Sequence, residues 1–170
     1  MLKKIITAFL ILIFCSPVLK PAFATTLAKV EYNLPYPGVL PDSPVYSLKV
    51  VRDNLVTFFI FEQKQKAFYQ LFLADKRMAA AKALFDKGSI NLGATTIVKS
   101  QEYFSNAVDL AVKNKDESLI EKLIVSSVKH EEAINDLLPK TKEGDLEKMN
   151  KSLSASLKDK KRVMEVLKVK

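Results

Sequence analysis

His130 is the only histidine in the chain, so any imidazole chemistry must pass through it. A metal site on a helix needs a second histidine or a carboxylate one turn away on the same face. The residues at those distances are Ser126, Ser127, Ala133 and Ile134, and none is such a ligand. Glu131 and Glu132 are adjacent in sequence but project elsewhere around a helix. A nucleophilic triad needs a base, and His130 is the sole candidate. Its register with Ile120, Leu123, Ile134 and Leu137 places it on or beside an apolar stripe. The expectation is a buried or half-buried histidine bonded to a neighbour.

Other chemistry finds little support. There is no G-x-S-x-G turn and no glycine loop of the kind that cradles phosphate. Two carboxylates could hydrolyse a glycosidic bond, but most of the 19 acids fall where solvated helix faces place them. Asp75 is the exception, lying within an aromatic-rich helix. Arg77 is too close along that helix to face it, and a partner on another helix, such as Arg52, would explain it plainly. No catalytic, metal or cofactor site is expected.

Binding surfaces are better marked. Phe58, Phe59, Phe61, Phe68, Tyr69 and Phe72 fall within fifteen residues and wrap around a helix. A helix apolar on all sides needs cover on all sides. Either a bundle buries these rings, or some form an exposed patch for a partner or a bilayer surface. Phe58, Phe59, Phe61, Phe68 and Tyr69 are therefore candidate protein-binding residues. Charge is also unevenly placed. Residues 25–150 carry 17 basic and 17 acidic side chains, whereas 151–170 carry seven basic against Asp159 and Glu165. Lysines near a helix C-terminus favour its dipole and keep a domain soluble. Lys158, Lys160, Lys161 and Arg162 are also candidates for an anionic envelope polymer or lipid surface. Nucleic acid is not expected, because no aromatics interleave these basic residues.

The elements that position these groups are helical. Hydrophobic residues at 48% and charged ones at 27% are a globular balance, and four glycines in 170 residues favour long helices over a turn-dense β fold. Residues 1–24 read as a secretory signal: Lys3 and Lys4, an apolar run over 5–14 broken only by Thr7 and Ala8, and Ala22-Phe23-Ala24 as cleavage site. Two alternatives are lipidation at Cys15, against which Phe14 counts, and retention of the segment as a membrane anchor. Each places the remainder outside the cytoplasm.

Residues 25–43 hold Pro35, Pro37, Gly38 and Pro41 and read as an ordered, extended lead-in. Pro37-Gly38 suits a type II turn, and Ser43-Pro44 suits a helix N-cap and first position. Helices are expected over 44–61, 62–87, 90–114 and 117–138, with a fifth from Gly144-Asp145 to the end. Ala67, Leu71, Ala74, Met78, Ala81 and Phe85 form one seam. Ile90, Ala94, Ile97, Phe104, Val108 and Ala111 form another, interrupted by Gln101. Leu146, Met149, Leu153, Leu157, Met164 and Leu167 share a face of the fifth helix. Short connections predict an all-α, antiparallel bundle of about five helices over 44–170.

The run Tyr36-Pro37-Gly38-Val39-Leu40-Pro41-Asp42-Ser43-Pro44-Val45-Tyr46-Ser47-Leu48-Lys49 carries a resemblance. It is followed by Arg52-Asp53, by Phe58-Phe59-Ile60-Phe61, and by Leu73-Ala74-Asp75-Lys76-Arg77 through Ala83-Leu84, Lys87 and Gly88. Together these resemble a bacterial family of exported or membrane-tethered helical proteins built on a domain of unknown function. The resemblance spans roughly residues 34–111. It implies an extracytoplasmic helical domain, with no activity or catalytic residues to carry over. The expected function is a non-catalytic binding or structural module of the cell envelope. A holdase-like chaperone is the alternative, and a wall hydrolase the third reading.

Overall fold

The structure, a computed structural model, describes residues 31–168. The signal segment and Cys15 lie outside the described residues. Among the described residues five helices follow one another: α1 Tyr46–Phe59, α2 Gln63–Asp86, α3 Ile90–Asn114, α4 Glu117–Leu137 and α5 Glu143–Lys168. They form an all-α, antiparallel-looking bundle.

The helix ends follow from local chemistry. Gly88 takes φ 79°, Ser89 N–H donates to Leu84 O at 2.8 Å and Gly88 N–H to Phe85 O at 2.9 Å, so α2 closes in a Schellman motif. Lys115 does the same turning work at φ 51° without being glycine. Asp116 then caps α4 by accepting from Leu119 N–H at 3.2 Å. Pro139 sits in a short 3-10 turn, Leu138–Lys140, that ends α4. Gly38 takes the positive φ, 70°, that a Pro-Gly turn asks of it.

The start of α1 departs from expectation. Ser43 is no N-cap: its N–H donates to Leu40 O and its carbonyl accepts from Tyr46 N–H, each at 3.0 Å. Pro44 therefore lies in a turn, and the helix begins two residues later. The fifth helix begins at Glu143, just before the expected Gly144-Asp145.

Two apolar clusters make the core. One joins Ala67, Leu71 and Ala74 to Phe104, Val108, Ala111, Leu119, Leu123 and Val163. The other joins Met78, Ala81 and Phe85 to Ala94, Ile97, Ala133, Ile134, Leu137 and Met149. Both draw on α2, α3, α4 and α5, and neither includes a residue of α1. The seams expected on α2 and α3 are buried, except for a half-buried Ile90.

Between the two clusters every one of those four helices turns a polar residue inward. Asp75, Ser100, Gln101, Ser126, Ser127, His130, Ser152, Ser156 and Asp159 are all buried. The face expected for α5 holds over its first half, where Met149 is buried and Leu146 and Leu153 are half-buried, and is corrected beyond that by this layer. Leu157, Met164 and Leu167 are exposed, and the buried seam is Asp145, Met149, Ser152, Ser156, Asp159 and Val163. Small serines let α5 approach closely, and its aspartates meet donors on α3: Asn91 for Asp145, and Gln101 and Ser105 for Asp159. A leucine seam would have left those donors unpaired.

Candidate functional site

The first helix is built inside out. Its two buried residues are Lys49 and Asp53. Its opposite face is Leu48, Val51, Leu55, Phe58 and Phe59, all exposed, with Leu48 and Phe58 each 70% accessible. A helix of a globular protein ordinarily turns such a stripe to the core.

What holds α1 in this orientation is polar. Asp53 accepts from Arg77 Nη2 on α2 at 3.2 Å, and from Arg52 Nη2 at 2.7 Å. Arg77 is itself buried, its guanidinium 5.4 Å from the Tyr46 ring centre and 5.5 Å from that of Tyr103. A cation between two rings keeps favourable electrostatics after losing water. One turn along, Lys49 Nζ donates to Pro37 O at 2.7 Å and Val39 O at 3.0 Å, tying the lead-in to α1. Burial, with help from the neighbouring Arg77, pushes the Lys49 ammonium down to about 8. The motif residues between Tyr36 and Lys49 thus act locally as a strap: a turn at Gly38, two carbonyls and the lysine that reads them.

The expected binding aromatics divide into two groups. Phe58, Phe59 and Phe61 stand in solvent, Phe61 at 81% exposure, with the Phe58 and Phe59 rings edge to face at 5.4 Å. Phe68 and Tyr69 are half-buried. Phe68 packs on the first core cluster and carries Lys64 and Lys122 over its ring at 6.0 and 4.9 Å. Tyr69 lies against Phe72, whose exposed ring has Lys76 Nζ 5.1 Å from its centre.

Residues 38–169 match a family described as a domain of unknown function, DUF5667. The chain belongs to this family. No curated protein and no solved structure matches it. The DUF5667 match opens at Gly38, in the strap, and takes in all five helices.

The DUF5667 domain engages the expected anion-binding residues with its own acids. Lys160 Nζ reaches Glu131 at 3.0 Å, and Lys161 reaches Glu165 at 3.9 Å. Arg162 bridges Asp109 at 2.6 Å and Asp159 at 3.0 Å. Lys158 is exposed. Three of the four positive charges are therefore partly compensated before any ligand arrives.

The residues with chemical potential meet in the polar layer. Asp75 accepts at Oδ2 from Tyr32 O–H at 2.5 Å and at Oδ1 from Ser126 O–H at 2.8 Å. His130 Nε2 lies 2.9 Å from the same Oδ1, and its Nδ1 is buried with no protein partner. The Phe104 ring centre is 5.3 Å from that of the imidazole. The expectation for His130 holds, since it is buried and bonded to a neighbour. The suggested partner of Asp75 is corrected: Arg52 serves Asp53 instead, because both lie on α1. Ser126 bonds the carboxylate rather than the imidazole, so this trio lacks the serine-to-histidine contact that acyl transfer requires.

Glu102 and Glu147 both line an open groove of about 600 Å³ between α3 and α5. Both are exposed, and Glu102 is paired with Lys99 at 2.8 Å. A general acid of a glycosidase is instead a shielded carboxyl that holds its proton.

Sequence reasoning missed Lys49, Asp53 and Arg77 as the anchor of α1. A signal was present. Tyr46, Lys49, Asp53 and Thr57 recur at helical spacing opposite Leu48, Val51, Leu55 and Phe58.

Proposed function

We propose that this chain is a non-catalytic, extracytoplasmic binding module that docks at the cell envelope through the outward face of α1. One observation carries the reading: α1 spends its charged residues on attachment and presents Leu48, Val51, Leu55, Phe58 and Phe59 to solvent. Exposed apolar stripes of this length ordinarily mark an interaction surface. The buried Asp53–Arg77 pair makes the orientation deliberate, because rolling the helix inward would strand Arg77 without its acid.

The extracytoplasmic placement rests on the signal-like residues 1–24. The basic residues of α5, Lys158 foremost, are a secondary contact for an anionic envelope polymer.

The chain has no tryptophan, so F58W supplies a sole reporter at the proposed surface. Isolated envelopes should shield that tryptophan from acrylamide in the full chain, while a tryptophan at the exposed Leu157 on α5 (L157W) stays accessible. Adding Leu48→Gln and Leu55→Gln to F58W should remove the shielding. Equal quenching with and without envelopes would sink the reading.

A further inference from the structure

Resting on the docking reading above, we infer that the occupant of the α1 face is the surface of an anionic lipid bilayer, with α1 lying in the plane of the headgroups.

The shape fits first. An α-helix of 14 residues is about 21 Å long. Interfacial helices lie flat with one apolar face sunk roughly 5–10 Å into the headgroup and acyl boundary. The apolar face of α1 is flanked by Ser47 and Asn54 on one side and Arg52 on the other, and its inward side is clamped to the bundle. Among the described residues no helix is long and apolar enough to cross a membrane, so lying flat is the mode open to α1. Phe58, Phe59 and Phe61 crowd the end where α1 turns into α2, and Phe72 is exposed on α2.

Charge then selects the partner. From residue 45 to 76 the acids are Asp53, Glu62 and Asp75, and two of these are buried. The basic residues outside the interior are Arg52, Lys64, Lys66 and Lys76. Lys64 answers Asp116 at 3.1 Å and Arg52 answers the buried Asp53 at 2.7 Å, so Lys66 and Lys76, with the exposed and only partly compensated Arg52, supply the positive charge at this border against Glu62. Basic residues at this border are drawn to anionic headgroups, by about fivefold in affinity for each. A second copy docking by the same face would set this rim against itself, where like charges oppose association.

Connection to the N-terminus is consistent. The apolar run over residues 5–19 lies outside the described residues. The 11 residues from 20 to 30 reach up to about 36–40 Å when extended. A run retained in the bilayer would hold α1 within reach of the same surface.

The test uses the full chain carrying F58W and vesicles of equal parts phosphatidylglycerol and phosphatidylcholine. Emission should shift to the blue and be quenched when the acyl chains are brominated. The tryptophan of L157W should remain water-like on the same vesicles. Adding Leu48→Gln and Leu55→Gln to F58W should abolish the quenching even where the N-terminal run keeps the chain on the vesicle. Pure phosphatidylcholine vesicles should lose most of it, and equal quenching there overturns the headgroup preference. Shielding by envelopes without quenching by brominated lipid overturns the bilayer and leaves docking to another envelope component standing. Shielding by neither removes both readings. A blue shift that grows with protein concentration in vesicle-free buffer overturns the bilayer in favour of a second copy.

Discussion

His130 Nε2 and Asp75 Oδ1 stand 2.9 Å apart in the layer that separates the two apolar clusters. The carboxylate is acceptor-only, so the ring nitrogen facing it is the donor. Tyr32 and Ser126 donate to the same group, so one side chain of α2 gathers the lead-in and two turns of α4. Burial, followed by the charge of Asp75, raises the Tyr32 phenol above its ordinary range and keeps it a donor.

Removing that acceptor should cost more than removing any donor. D75A leaves three donors unanswered, at about 1–3 kcal/mol for each one kept from water. We expect D75A to lower unfolding free energy by several kcal/mol, and Y32F by about 1 kcal/mol. D75A combined with H130L should recover part of the loss, since the imidazole no longer needs a partner. Urea unfolding of the four proteins checks this, and a double variant no better than D75A alone would contradict it.

Much of the bundle was legible because α2 and α3 write their apolar seams at clean helical spacing, and Gly88, Asp116 and Pro139 punctuate them. Two features were not. The buried face of α5 is polar, so its hydrophobic pattern pointed one position around the helix, to Leu157 and Met164. What decides that face is the position of Gln101 and Ser105 on α3, which is tertiary information. The aromatic cluster was legible in the sequence, but whether a bundle buries it was not, and Phe58, Phe59 and Phe61 stand exposed. Their exposure depends on Asp53 meeting Arg77, 24 residues away, and an acid within an aromatic helix does not announce its partner.

The Asp53–Arg77 contact predicts where the domain opens. D53A leaves a buried guanidinium unpaired, a change that costs about 3–5 kcal/mol where the site cannot rearrange. Here α1 contributes nothing to either core cluster, so detaching it is the easier relief. In D53A the amides of α1 should exchange with solvent nearly as fast as in an open chain, while those of α2, α3 and α4 stay protected. Uniform loss of protection across all five helices would show that α1 is integral to the bundle.

Lys49 predicts an alkaline gain in stability. Its folded value of about 8 lies below the ordinary 10.5, so between these limits the unfolded chain holds a proton that the folded one has released. Stability then rises with pH, by up to about 1.4 kcal/mol per unit. Above about pH 10 the tyrosines oppose this: Tyr32, Tyr46 and Tyr69 are raised by burial and favour the folded state only while neutral. The gain should therefore appear from pH 8 to 10 and fade beyond. K49M should be less stable, having no donor for the carbonyls of Pro37 and Val39, and should show no such rise. Thermal unfolding across the pH series reads both effects.

Gln101 and Asp159 are joined at 3.0 Å, yet their removal should have opposite consequences. Asp159 is buried and also accepts from Ser105 at 2.5 Å and Arg162 at 3.0 Å; D159A takes the acceptor from Gln101 and Ser105 on α3, while Arg162 keeps Asp109. That predicts a loss of several kcal/mol. Gln101 brings one good bond but also a buried Oε1 with no protein partner. Q101L removes that orphan, leaves Asp159 two donors, and continues the apolar seam between Ile97 and Phe104. A net hydrogen bond contributes about 0.5–1.5 kcal/mol, and an unanswered acceptor costs about 1–3 kcal/mol. Q101L should thus be neutral or mildly stabilising. A loss as large as that of D159A would mean that Oε1 is satisfied by an ordered water that leucine cannot replace.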